Sequence, residues 1–131
     1  MEDFKVQDDE DLLFTPIVAL EAKSGKCLIE GESYLEDAFD FYSKITNWMQ
    51  QYLESTKGPI HLDIKLTYFN TSSSRGILTL LTELASYQKR GKEVEVIWYY
   101  PIPDEDDMLS ELEDFVFESG IKMEIVPLPS E

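Results

Sequence analysis

Ile60-His61-Leu62-Asp63-Ile64-Lys65-Leu66-Thr67-Tyr68 runs without a break into Phe69-Asn70-Thr71-Ser72-Ser73-Ser74-Arg75-Gly76 and then into Ile77-Leu78-Thr79-Leu80-Leu81. Over the first nine residues apolar and polar side chains alternate strictly, which predicts a strand with Ile60, Leu62, Ile64, Leu66 and Tyr68 on a buried face and His61, Asp63, Lys65 and Thr67 on a wet one. A parallel strand covered on both faces would read as continuous apolar sequence. Helices should therefore cover mainly one face of the sheet and leave the other open. Downstream, Ile77, Leu80, Leu81, Leu84 and Tyr87 recur at helical spacing until Gly91, so the quoted stretch is a strand-to-helix junction.

Working outward, Ile17 to Ala22, the turn Lys23-Ser24-Gly25 and Lys26 to Glu30 have the layout of a β-hairpin. Ser33 and Glu36 have capping-box spacing and predict a helix start. Its apolar stripe is Leu35, Ala38, Phe39, Tyr42, Ile45, Met49, Tyr52 and Leu53, and Gly58-Pro59 stops it. Val94 to Tyr100 predicts a further strand ended by Pro101 and Pro103. A third helix should start at about Asp104, with Asp104 to Asp107 in its first turn complementing the positive end of the helix dipole, Met108, Leu112, Phe115 and Val116 as its stripe, and Gly120 as its end. Ile121, Met123 and Ile125 alternate as a last strand. The fold class is α/β: a single mixed sheet of about five strands with about three helices mainly on one face, in the order β-β-α-β-α-β-α-β. Residues 12–131 form one domain, and residues 1–11, with Glu2, Asp3, Asp8, Asp9, Glu10 and Asp11, read as an acidic mobile tail.

Twenty-seven acidic against 11 basic side chains give a net charge of -16, which repels a phosphate backbone and argues against nucleic acid. No apolar run approaches the roughly 20 residues of a membrane helix, and the acidic start lacks the apolar core of a signal peptide. No membrane insertion is expected, and a cytoplasmic bacterial setting is the default. A single cysteine, Cys27, and a single histidine, His61, exclude an internal disulfide and a clustered Cys/His zinc site; both read as structural bystanders. Asp104 to Asp107 lacks the spaced oxygens, glycine and later glutamate of a calcium loop. A serine hydrolase would need a nucleophile elbow and a placed histidine base, and neither is present. No catalytic residues, metal or cofactor are expected, and the chain reads as a binding module.

The candidate site is the junction itself. Four consecutive hydroxyl residues, Thr71 to Ser74, exceed what one helix cap needs. Gly76 lowers helix stability and allows the close approach of another backbone. A phosphate on a hydroxyl here would lie near the free N–H groups and positive end of the second helix. If Thr71 is at the cap, Arg75 lies one turn on and can either pair with that phosphate or face solvent. Residue chemistry alone leaves two readings open, an over-supplied cap and a regulatory site.

Tyr68-Phe69-Asn70-Thr71-Ser72-Ser73, at the end of a strand and the start of a helix, resembles the signature of the SiaC family of bacterial regulatory phosphoproteins. Gly31-Glu32-Ser33-Tyr34, Trp48 and Trp98-Tyr99-Tyr100 add to the similarity. The resemblance implies a fold like that of the anti-sigma-factor antagonist (STAS) domains and the role of switch in a partner-switching circuit. A Ser/Thr protein kinase would phosphorylate Thr71, and a PP2C-type phosphatase would remove the phosphate. The unmodified form would bind and activate a diguanylate cyclase, linking it to cyclic-di-GMP and biofilm signalling. Asn70, Ser72, Ser73 and Arg75 would support the switch, the two serines by capping or recognition. The acidic start and Ser74 before Arg75 depart from the family pattern. The alternatives are another output protein, an anti-sigma-factor antagonist, or a STAS-like domain that binds an anion or small ligand noncovalently.

Overall fold

A computed structural model describes residues 1–6, 14–55, 59–104 and 107–129. The elements are β1 (Phe4–Val6), β2 (Ile17–Leu20), β3 (Lys26–Ser33), α1 (Ala38–Ser55), β4 (Ile60–Phe69), α2 (Thr71–Lys89), β5 (Val94–Ile102), α3 (Met108–Ser119) and β6 (Met123–Pro129). The six strands lie in chain order, β1-β2-β3-β4-β5-β6; β1 to β3 are antiparallel and β3 to β6 parallel. Three parallel steps in one direction, each with the usual right-handed crossover, put α1, α2 and α3 on the same face. Leu62, Ile64, Leu66, Val96 and Trp98 are buried on that face. On the other, Asp63, Lys65, Ile97 and Tyr99 are half-buried, and Lys65 Nζ sits 5.3 Å from the centre of the Tyr99 ring. The alternation in β4 is thus a one-sided sheet.

Among the described residues the sheet has six strands where about five are expected. The extra one, β1, falls in the segment expected to be a tail. Phe4 and Val6 pack against the core, Asp3 Oδ1 accepts from the Ala22 N–H at 2.8 Å, and Trp48 Nε1 donates to the Glu2 carbonyl at 2.9 Å. Two apolar side chains and these bonds offset the ordering of a short acidic segment. The rest of that tail, residues 7–11, lies outside the described residues.

The hairpin of β2 and β3 turns at Gly25, where φ is +75° and a Cβ would stand 1.9 Å from the Pro59 carbonyl oxygen, so only glycine fits. Helix starts differ from the sequence reading. Ser33 does not cap α1; it is the last residue of β3, fully buried, and Asp37 instead accepts from the Asp40 N–H at 3.1 Å. In α1, Phe39 is 75% exposed and leaves the stripe, while Thr46 and Trp48 join it. Gly58 lies outside the described residues. α3 starts at Met108: the Asp104 carboxylate accepts from the N–H groups of Met108 at 2.7 Å and Leu109 at 3.0 Å, so Asp104 caps the helix from outside its first turn. Glu105 and Asp106 lie outside the described residues. β5 continues through Pro101 to Ile102, because beyond Trp98 it pairs with β6 alone and a missing N–H has less ladder to disrupt.

The register between β3 and β4 slips once, from Gly31 opposite Leu66 to Glu32 opposite Tyr68, leaving Thr67 as the extra residue of a bulge. The slip reverses the phase of the strand end. Tyr68, expected inside, is 40% exposed, and Phe69 turns inward instead, 5.7 Å from Trp98 and 5.5 Å from Phe115.

Candidate functional site at the start of the second helix

The bulge delivers the chain to Asn70, whose extended backbone (φ -86°, ψ 176°) caps α2. Its Oδ1 accepts from the Ser73 N–H at 2.8 Å, its Nδ2 donates to the Leu35 carbonyl at 3.0 Å, and its own N–H donates to the Ser33 carbonyl at 3.0 Å. An aspartate could cap but could not make the bond to Leu35. The cap is therefore tied to the connection between β3 and α1, and Thr71 is held as the first residue inside the helix.

The four hydroxyls have different fates. Ser73 is fully buried; its hydroxyl donates to the Ser33 carbonyl at 2.9 Å and accepts from the Ser33 hydroxyl at 2.8 Å, which in turn meets the Tyr42 hydroxyl at 2.8 Å. Burial pushes the Tyr42 phenol up, partly offset by its bond to Ser33, so it stays a neutral donor. Ser74 donates to the Thr71 carbonyl at 2.8 Å and, like Ser72, is half-buried. Thr71 is exposed. Its N–H and that of Ser72 lie at the open end of the helix, where first-turn donors have no helical acceptor. Gly76 is approached by the Tyr42 ring and not by a backbone: a Cβ there would stand 2.7 Å from Tyr42 Cδ2. Arg75 is exposed and makes no ion pair among the described residues, so the structure does not bring it to Thr71.

Two groups near the junction went unread in the sequence. A cleft of about 250 Å³ separates α2 from α3, with Phe69, Asn70, Thr71 and Ser74 on one side and Glu111, Asp114, Phe115 and Glu118 on the other. The spacing of Glu111, Asp114 and Glu118 marks one face of a helix, but only the packing of α3 turns that face to Thr71. Phe14, Tyr34 and Tyr68 form an exposed aromatic patch, 56%, 57% and 40% accessible, with ring centres 6.1 Å and 6.0 Å apart. The Tyr34 N–H donates to the Phe14 carbonyl at 2.9 Å and holds the patch together. No sequence signal marked Phe14; Tyr68 was hidden by the bulge.

Elsewhere the chemistry is quiet. Burial pushes the Cys27 thiol up to about 12, and His61 is an exposed side chain 3.6 Å from a Glu95 oxygen. Among the described residues no cluster of His, Cys, Asp or Glu could hold a metal ion, and no helix is long and apolar enough to cross a membrane.

With this geometry in place, comparison with known families is decisive: the model of the SiaC family regulatory phosphoproteins matches residues 8–128. The chain belongs to the SiaC family. Its fold is that of SiaC from Pseudomonas aeruginosa: the apo structure superposes with a TM-score of 0.83 at 24% identity, covering 96% of this chain and 99% of that one. SiaC bound to the diguanylate cyclase SiaD, described as its activator, gives the same TM-score and identity over 96% of this chain and 100% of that one. An uncharacterised protein of P. aeruginosa strain UCBPP-PA14 is 28% identical over 86 residues, 66% of this chain and 68% of that protein. The motif from Tyr68 to Ser73 that carried the resemblance is the junction described above, and this SiaC-family chain presents Thr71 at its surface.

Proposed function

We propose that this protein is a phosphorylation-controlled partner switch with no catalysis of its own, working in the cytoplasm, and that Thr71 is the residue that a Ser/Thr kinase modifies and a PP2C-type phosphatase restores. The observation that carries the reading is the sorting of the hydroxyls: Thr71 is exposed at the first position of α2, whereas Ser73 is locked inside. A phosphate on Thr71 would bring nearly two negative charges to the open N–H groups of a helix start. Asn70 and Ser73 hold the backbone that presents it, Ser72 lies beside it, and Arg75, one turn on and free of other ion pairs among the described residues, is in reach after a change of rotamer. The three carboxylates across the cleft disfavour a free anion at this place. Covalent attachment needs no such affinity, which sets the switch above the noncovalent anion site.

The output partner is a diguanylate cyclase, as in the complex of the structurally similar SiaC. Its docking face is the patch of Phe14, Tyr34 and Tyr68, three residues along the chain from Thr71 at its nearest. Contiguous exposed aromatic rings of this kind mark binding surfaces, and a partner that covers both the rings and the start of α2 would have to desolvate or be repelled by a dianion on Thr71. The experiment is the intact mass, with fragment mapping, of the protein and its Thr71→Ala variant after incubation with the cognate kinase and ATP, followed by cyclase binding. One phosphate on Thr71, absent from the variant, and constitutive binding by the variant are expected. Full phosphorylation of Thr71→Ala would sink the assignment.

A further inference from the structure

In the unmodified protein the residues that line the cleft opposite the α3 carboxylates, Phe69, Asn70, Thr71 and Ser74, carry no charge. A phosphate on Thr71 changes that. The groups able to stabilise it are the helix start, equivalent to about half a positive charge, and the single guanidinium of Arg75. Facing it from α3 are three carboxylates, Glu111, Asp114 and Glu118. Both stabilising groups belong to α2 and do not hold α3 in place, whereas the carboxylates on α3 are exposed and meet the added charge across the cleft.

We propose that these three carboxylates turn the phosphate into a wedge between α2 and α3, so that α3 is the element that answers phosphorylation. The inference rests on Thr71 being the acceptor. α3 is suited to the part: it has 12 residues, and its hold near the cleft is Phe115, packed 5.9 Å from Trp98 and 5.5 Å from Phe69. Phe69 adjoins the cap residue Asn70, so movement of α3 is felt at the base of the junction. Two charges against three, in a water-like medium at about 0.1 M salt, shift the opening of α3 by a factor on the order of ten.

The test uses full-length protein with phosphothreonine installed at position 71 by genetic code expansion, so it does not depend on any kinase. Hydrogen exchange of the α3 amides is compared with and without the phosphate, at low and high salt. Phosphorylation should speed exchange in α3 about tenfold at low salt and much less at high salt. In an E111Q/D114N/E118Q background, or in D114N/E118Q should the triple variant fold poorly, the acceleration should largely vanish. Unchanged α3 exchange in the phosphorylated protein, or equal acceleration with the carboxylates neutralised, overturns the proposal. Failure of the switch reading would show elsewhere, as a kinase that leaves Thr71 unmodified, and would leave this measurement standing.

Discussion

Replacing Ser73 by alanine tests the structural hydroxyl of the junction apart from the one proposed to be regulatory. The Ser73 hydroxyl gives one bond to the Ser33 carbonyl and takes one from the Ser33 hydroxyl, at full burial. Two of its neighbours are spared: the Ser33 carbonyl still accepts from the Asn70 N–H, and the cap bond from the Ser73 N–H to Asn70 does not involve the side chain. What remains is the Ser33 hydroxyl, left without its acceptor beside the Tyr42 hydroxyl. A buried polar group orphaned in this way costs about 1–3 kcal/mol, and about 2 kcal/mol lowers the Tm of a domain this size by roughly 6–10 °C. Thermal unfolding of Ser73→Ala beside Ser72→Ala, whose change should stay within about 0.5 kcal/mol, makes the comparison. Kinase treatment should still add one phosphate, at Thr71. A Ser73→Ala protein as stable as wild type, or one that loses the phosphate, would refute the division of labour.

Gly76→Ala should be destabilising although alanine favours helix by about 1 kcal/mol, because a Cβ 2.7 Å from Tyr42 Cδ2 overpacks the contact by about 1–3 kcal/mol; urea midpoints give the sign. Tyr34→Ala should weaken cyclase binding by about tenfold or more with little change in Tm, since the ring is 57% exposed; titration calorimetry checks both the affinity and the intact fold. For Cys27 the folded thiol is raised from 9.0 to about 12, so the native state keeps a proton that the unfolded chain loses. That contribution to stability is complete below 9.0 and disappears as pH rises through about 12. Between those values unfolding midpoints should fall more steeply than in Cys27→Ala.

The course of the strands and helices could be read from apolar periodicity because one face of β4, and one stripe of each helix, meets the core. Positions set by pairing or by polar bonds could not. Tyr68 has the phase of a buried residue and is expelled by a bulge, which depends on how β3 lines up alongside. Ser33 has the spacing of a cap, yet its hydroxyl is drawn inside by Ser73, 40 residues away. Phe4 and Val6 are too few to outweigh the acids around them until β2 and Trp48 supply partners. At the site, Thr71, Asn70 and Ser73 were visible as a cluster of types, but which hydroxyl is buried and which exposed follows only from the packing. The carboxylates of α3 belong to the site only through the packing of one helix on another.

The two edges of the sheet decide what kind of partnership is possible. Among the described residues β1 offers three, and β6, at the other edge, contains Pro127 and Pro129, which have no N–H to give. Neither edge is a good template for an added strand. A partner of the proposed kind would therefore hold on through side chains more than through a ladder of backbone bonds. Grip of that sort is concentrated in a few contacts, and a switch of the proposed kind would need to disturb only those few.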